Sequence, residues 1–137
     1  MRPAAAGALA ALTWAALEPL DRRVLRNDYS DVAMLGKLVT RSRAWPLAGL
    51  ALHAANGAVF GLALEQARRR MRTPPSALQL ALAEHTLLYP LTYVVDRVHP
   101  ARGTRGVAPS FTARGFVQET VRHAVFGAVL GRLSPPV

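Results

Sequence analysis

The apolar residues of this chain are gathered into four stretches, with most of the charges between them. The stretches are residues 3–20, 44–64, 74–95 and 115–133. A bilayer core is crossed by a helix of about 20 mostly apolar residues, and no other arrangement accommodates four such runs in one short chain as simply. Residues 44–64 (AWPLAGLALHAANGAVFGLAL) carry no charge, and residues 3–20 carry only Glu18. Residues 74–95 carry Glu84 and the titratable His85. Residues 115–133 are the most polar, with Glu119, Arg122 and Arg132. That stretch would be rejected alone, but it repeats the second one. The expectation is an all-α, four-transmembrane-helix bundle, a single integral membrane domain over residues 1–137. The first stretch also has the basic start and apolar centre of a secretory signal, but Glu18, Pro19 and Leu20 stand where a small-residue cleavage site would be needed.

The repetition is local and gap-free. Residues 53–61 read HAANGAVFG and residues 123–131 read HAVFGAVLG, six identities at an offset of 70. Asp21-Arg22-Arg23-Val24 and Asp96-Arg97-Val98 close the first and third stretches. The chain therefore reads as two tandem helix–loop–helix repeats, about 3–64 and 74–133. Two helices per unit return the chain to its starting side, so the halves share one orientation.

Gly49, His53, Gly57 and Gly61 recur every four residues, as do Gly115, Glu119, His123, Gly127 and Gly131. Positions four apart share a helix face. Glycines on one face let two backbones approach in lipid. This predicts a packing seam between the second and fourth long helices through Gly49, His53, Gly57, Gly61, Glu119, His123, Gly127 and Gly131, within one chain or across a dimer.

Polar groups inside a membrane face protein or water. His53, Asn56, Glu84, His85, Glu119 and His123 form the candidate polar path. Adjacent Glu84 and His85 are about 100° apart on a helix and cannot point the same way. Such a set could relay protons, or simply hydrogen-bond across helices. Pro90, late in the third stretch, reads as a tolerated membrane proline.

The connections are basic, and the net charge is +9. In the first, Ser30 is placed to cap a short helix over Asp31–Val39 with an apolar face, lying along the interface. In the second, Arg68, Arg69, Arg70 and Arg72 point to anionic lipid headgroups rather than nucleic acid, because no stacking aromatics accompany them. The third, over residues 96–114, is irregular in its Gly and Pro. Trp45, Tyr89, Tyr93, Phe111 and Phe116 lie near helix ends, where aromatic anchors sit. With no cysteine, there is neither a disulfide framework nor a cysteine zinc site. No HExxH, serine-nucleophile or phosphate-loop pattern occurs, so no enzyme, cofactor or metal is expected.

This layout resembles the many small, Ala- and Arg-rich, four-helix bacterial membrane proteins known only as domains of unknown function. The resemblance implies an integral protein of a bacterial inner (plasma) membrane, multi-pass, and carries over no activity. Two functions are compatible with the residues. One is a structural or accessory role, with the lipid bilayer, anionic headgroups and a second copy or another membrane protein as partners. The other is a small transporter or proton-relay protein using Glu84, His53 and His123. A soluble basic bundle binding nucleic acid is the remaining alternative.

Overall fold

A computed structural model describes residues 1–135 and shows five helices: α1 (Pro3–Leu25), α2 (Asp31–Val39), α3 (Trp45–Arg70), α4 (Ala77–Val98) and α5 (Ala113–Leu133). No strand occurs among the described residues; an isolated bridge joins Tyr29 to Val107. Local sequence sets most boundaries. Pro3 opens α1, and Arg26 closes it in the left-handed conformation. Ser30 caps α2 by accepting from the Ala33 amide at 3.1 Å, over the span expected from sequence. Ser76 and Gln79 form a reciprocal capping box on α4, and Thr112 caps α5. α1 runs through Pro19 and α4 through Pro90.

Length and composition qualify one of these helices, α3, as a membrane span. Glu18 in α1, Glu84 and His85 in α4, and Gln118, Glu119 and Arg122 in α5 dilute the hydropathy of the other long helices. The fold is all-α, as expected.

The packing corrects the expected seam. α3 lies against α1 and α2, and α5 lies against α4 and α1, whereas the α3 and α5 backbones stay apart and meet only through larger side chains such as Phe60 and Phe126. The glycines of α3 are filled from its own repeat. A Cβ on Gly57 would stand 2.4 Å from the Gly7 carbonyl oxygen, one on Gly61 2.2 Å from that of Pro3, and one on Gly49 1.9 Å from that of Val32. A Cβ on Gly127 would lie 2.7 Å from the Leu78 Cα of α4. Gly115 abuts Ser110 in the preceding loop. The physical reason is complementarity of small surfaces. α1 offers Gly7 and Ala11 and α4 offers Ala77 and Ala81, so each glycine face closes on the small-residue face of its own repeat.

The two repeats thus share one pairing scheme, the second long helix of each closing on the first. In the first helix of each pair the offset is 71: Gly7 and Leu78, Trp14 and His85, Pro19 and Pro90. In the second helix it is 70, which sets Gly57 on Gly7 as Gly127 is set on Leu78. The pairs touch through α1 and α5, and α3 and α4 scarcely touch.

At one end the first and third loops are clasped together. Ser30 N donates to Gly106 O at 2.9 Å, and Ala108 N donates to Asp28 O at 3.2 Å. Gly106, at φ 82°, turns its amide onto the Asp28 carboxylate at 3.0 Å. Partial burial raises the Asp28 carboxyl, but the Gly106 amide and Arg22 outweigh it and hold the group below its ordinary value. His99 is locked in one tautomer, with Nε2 donating to Met34 O at 2.9 Å and Nδ1 accepting from Ala101 N at 3.1 Å.

Candidate functional site: a buried polar centre

The distribution of polarity is inverted relative to a soluble bundle. Arg122 is 3 % exposed and Glu119 6 %, while Leu87 is 76 % exposed and Leu47 74 %. Glu18, Asp31, His53, His85 and Gln118 are also buried. Leu9, Leu20, Val59, Leu62, Leu91, Val94, Val117 and Val121 are exposed along the long helices.

One half of this interior is a clasp around Arg122 on α5. Its Nε and Nη2 grip the Asp21 carboxylate of α1 at 2.5 and 2.7 Å. Nη2 also donates to Tyr29 O at 2.9 Å. Nη1 donates to Asp31 of α2 at 2.7 Å and to Glu119 at 3.2 Å. A guanidinium has five N–H donors, and all are used. Glu18 stands 4.0 Å away and accepts from Ser30 Oγ, from Asp31 N at 2.8 Å and from Val32 N at 3.3 Å. In the second repeat Asp96 of α4 likewise catches its loop, accepting from Ser110 N at 3.0 Å and Phe111 N at 2.7 Å. Gln118 Nε2 donates to Asp21 at 2.8 Å and its Oε1 accepts from Asn27 at 2.8 Å. The clasp thereby ties α1, α2 and α5 together.

The other half is a chamber of about 190 Å³, room for several waters or a ligand of a few heavy atoms. Its walls include His53, Asn56, Glu84, Glu119 and His123, five of the six residues of the expected polar path. The sixth, His85, stacks behind His123 at 4.7 Å. His53 and His123 do face the interior, but not each other. Trp14 of α1 stands between them, 5.0 Å from His53 and 4.7 Å from His123, ring centre to ring centre. His53 Nε2 and Trp14 Nε1 are buried without partners.

Proton positions follow from the partners. His123 Nδ1 lies 2.7 Å from the Glu119 carbonyl oxygen, which only accepts, so Nδ1 carries a hydrogen. His123 Nε2 lies 3.1 Å from Glu84 Oε2. Which of the two donates in that contact depends on whether the proton lies on the imidazole or on the carboxyl. Thr120 donates to Phe116 O at 2.7 Å, which leaves its oxygen to accept from His85 Nε2 at 3.0 Å. Glu84 and His85 diverge, as adjacent helix positions must. The Glu84 side chain is 35 % exposed and forms the outer edge of the chamber.

Glu119 and His123 share a helix face, but neither side chain has the other as its main contact. The two stand 4.0 Å apart, and the Glu119 carboxylate is taken by Arg122. Sequence reasoning passed over Arg122, Asp21, Asp31 and Trp14. The equivalence of Trp14 with His85 was a usable signal for the last. Arg68, Arg69 and Arg70, expected in the second connection, form the last turn of α3 at the opposite end of the bundle, and Arg72 follows it. Arg69 pairs with Glu65 at 2.9 Å, Arg68 donates to Ser134 at 3.1 Å, and Arg69, Arg70 and Arg72 are exposed. Among the described residues, no group of three or more His, Asp or Glu is disposed to hold a metal. No protein-family model, curated protein or solved structure matches this chain.

Proposed function

We propose that this chain is a small multi-pass protein of a bacterial inner membrane. In this reading α1, α3, α4 and α5 cross the bilayer as a four-helix bundle and α2 lies at one surface. The chamber takes up and releases a proton in a transport or relay step. The observation that carries the membrane reading is the inversion of polarity: leucines and valines outward, ionisable groups inward. Intramembrane charges face the bundle interior and mark pathways for ions or protons. The arginine-rich second loop suits anionic headgroups.

The relay step rests on the Glu84–His123 contact. Glu84 stands at the rim of the chamber, and His123 lies deeper, against Glu119 on its own helix, His85 of α4 and Trp14 of α1. With His123 neutral and its Nε2 lone pair free, a proton arriving on Glu84 passes to Nε2 without any backbone movement, since the two heavy atoms are 3.1 Å apart, and leaves Glu84 ionised; Nδ1 keeps its own hydrogen on the Glu119 carbonyl. Water in the chamber would extend the path to His53. The Arg122 clasp, with no spare donor, acts as the rigid wall against which this happens.

Alkaline carbonate extraction tests the membrane reading, and release into the supernatant overturns it. Purified protein in sealed vesicles tests the relay. An imposed pH gradient is expected to decay faster than in protein-free vesicles, and Glu84→Gln is expected to restore the slow decay with insertion unchanged. Wild-type vesicles as tight as empty ones would remove the relay. The structural or accessory role would then remain. It is favoured by an exposed groove of about 260 Å³ between α1 and α5, lined mainly by Leu17, Leu20, Val24, Val121 and Val125, which suits a partner helix.

A further inference from the structure

We infer that the chamber is a binding site for a small organic cation of the alkylammonium or guanidinium class. The inference rests on the chamber being the working part of the protein, as proposed above, and names what it holds besides a proton.

Charge excludes an anion. Asp31, Glu84 and Glu119 all line the chamber, and the one permanent cation beside it, Arg122, has every N–H donor engaged by Asp21, Asp31, Glu119 and Tyr29 O. An entering carboxylate or phosphate would find no free guanidinium edge and would lie beside carboxyl oxygens. A cation's N–H groups would find acceptors in the Glu84, Asp31 and Glu119 oxygens.

The walls match an organic cation better than a bare ion. Trp14, Phe60 and Phe126 form an aromatic corner, with Phe60 and Phe126 edge to face at 5.0 Å and Trp14 and Phe126 at 6.1 Å. Aromatic faces attract alkylammonium and guanidinium groups and tolerate their carbon atoms. Independently of the carboxylates, His53 lines the same chamber at 5 % exposure with its Nε2 unpartnered. Buried polar atoms are nearly always bonded, and a neutral imidazole nitrogen can accept from an N–H cation. Size sets the upper limit, because about 190 Å³ is below the 300–1,000 Å³ range typical of drug-sized ligands.

Trp14 supplies the readout. The chain has two tryptophans, and Trp45 lies at the start of α3, away from the chamber walls. Trp45→Phe therefore leaves Trp14 as the single indole reporter. This variant, purified in detergent, would be titrated with methylammonium, tetramethylammonium and guanidinium, with sodium and acetate salts as controls at matched ionic strength. A saturable change in Trp14 emission is expected with at least one organic cation and with neither control. Adding Glu84→Gln, which keeps the side-chain shape at the chamber rim, should weaken the midpoint roughly tenfold, equivalent to about 1.4 kcal/mol. His53→Gln should weaken it as well, with the thermal unfolding midpoint as the check on folding.

The inference is overturned by any of three results. One is no saturation up to about 10 mM, weaker than the ~4 kcal/mol of a 1 mM complex. Another is an equal response to sodium or acetate. The third is saturation unaffected by both substitutions. Proton flux in vesicles is measured separately, so the relay can stand while cation binding fails, and the reverse.

Discussion

At the scale of single residues, Arg122 and His123 are neighbours with opposite characters. Arg122 is fully committed: one guanidinium holds groups from α1, α2 and the first loop, and nothing is left over. His123 is uncommitted at Nε2, which faces the Glu84 carboxyl at the chamber edge, 3.1 Å away. Removing one partner of a buried ion pair typically costs 3–5 kcal/mol because the remaining charge is stranded. Arg122→Met strands Asp21, Asp31 and Glu119 together. A loss of roughly 3–5 kcal/mol or more is expected on this basis, read as a lowered unfolding midpoint in detergent. Arg122→Lys should recover little of it, since an ammonium has three donors and no fork. Full recovery by lysine would mean that charge alone, rather than the five-bond geometry, holds the clasp. The polar path was legible in the sequence because His, Asn and Glu inside apolar runs are conspicuous. Arg122 was not, because it falls in the most polar of the four stretches, where one more charge attracts no notice.

At the scale of elements, the two glycine faces look alike in sequence but do different work. A Cβ on Gly61 would collide with the Pro3 carbonyl at 2.2 Å, whereas one on the equivalent Gly131 would meet only the Ala77 methyl at 3.7 Å. Gly61→Ala should therefore push α3 off α1 and destabilise the protein. Gly131→Ala should be neutral or stabilising by up to about 1 kcal/mol, the helix-propensity gain over glycine. Parallel thermal melts check this pair, and equal behaviour of the two variants would contradict the asymmetry of the contacts. The helices themselves, and the short α2 with its Ser30 cap, were legible from apolar runs and capping residues. The partner of each glycine face was not. Four-residue spacing states that a groove exists, and any helix presenting Gly or Ala at the right height can fill it. α1 and α4 do so because each is joined to its partner within one repeat.

At the scale of the whole molecule, the first and third loops are joined at one end, and the second loop lies at the other with the N-terminus. The charges do not choose an orientation. The first and third loops hold ten Lys or Arg, against six for the second loop and the two termini. The second loop concentrates four of those six within five residues. The natural chain has no cysteine, so single cysteines report cleanly. If the chain spans the bilayer as proposed, Arg41→Cys and Arg105→Cys should label from one side of the membrane in intact cells and Arg72→Cys from the other. Labelling of each site from both sides would mean that the chain inserts in both orientations. The sequence by itself determined the helices, their repetition, the short capped α2 and the presence of ionisable groups among apolar residues. All of these are local: they depend on runs, spacings of four and capping residues within a few positions. Only the tertiary structure decided which faces meet, that Trp14 separates the two histidines, and that carboxylates from α1, α2 and α5 converge on one arginine. Asp21 and Arg122 are 101 residues apart, and no helical period reaches that far. The pairing exists because α1 and α5 pack against each other, and a charge buried where they meet needs an opposite charge to hold it.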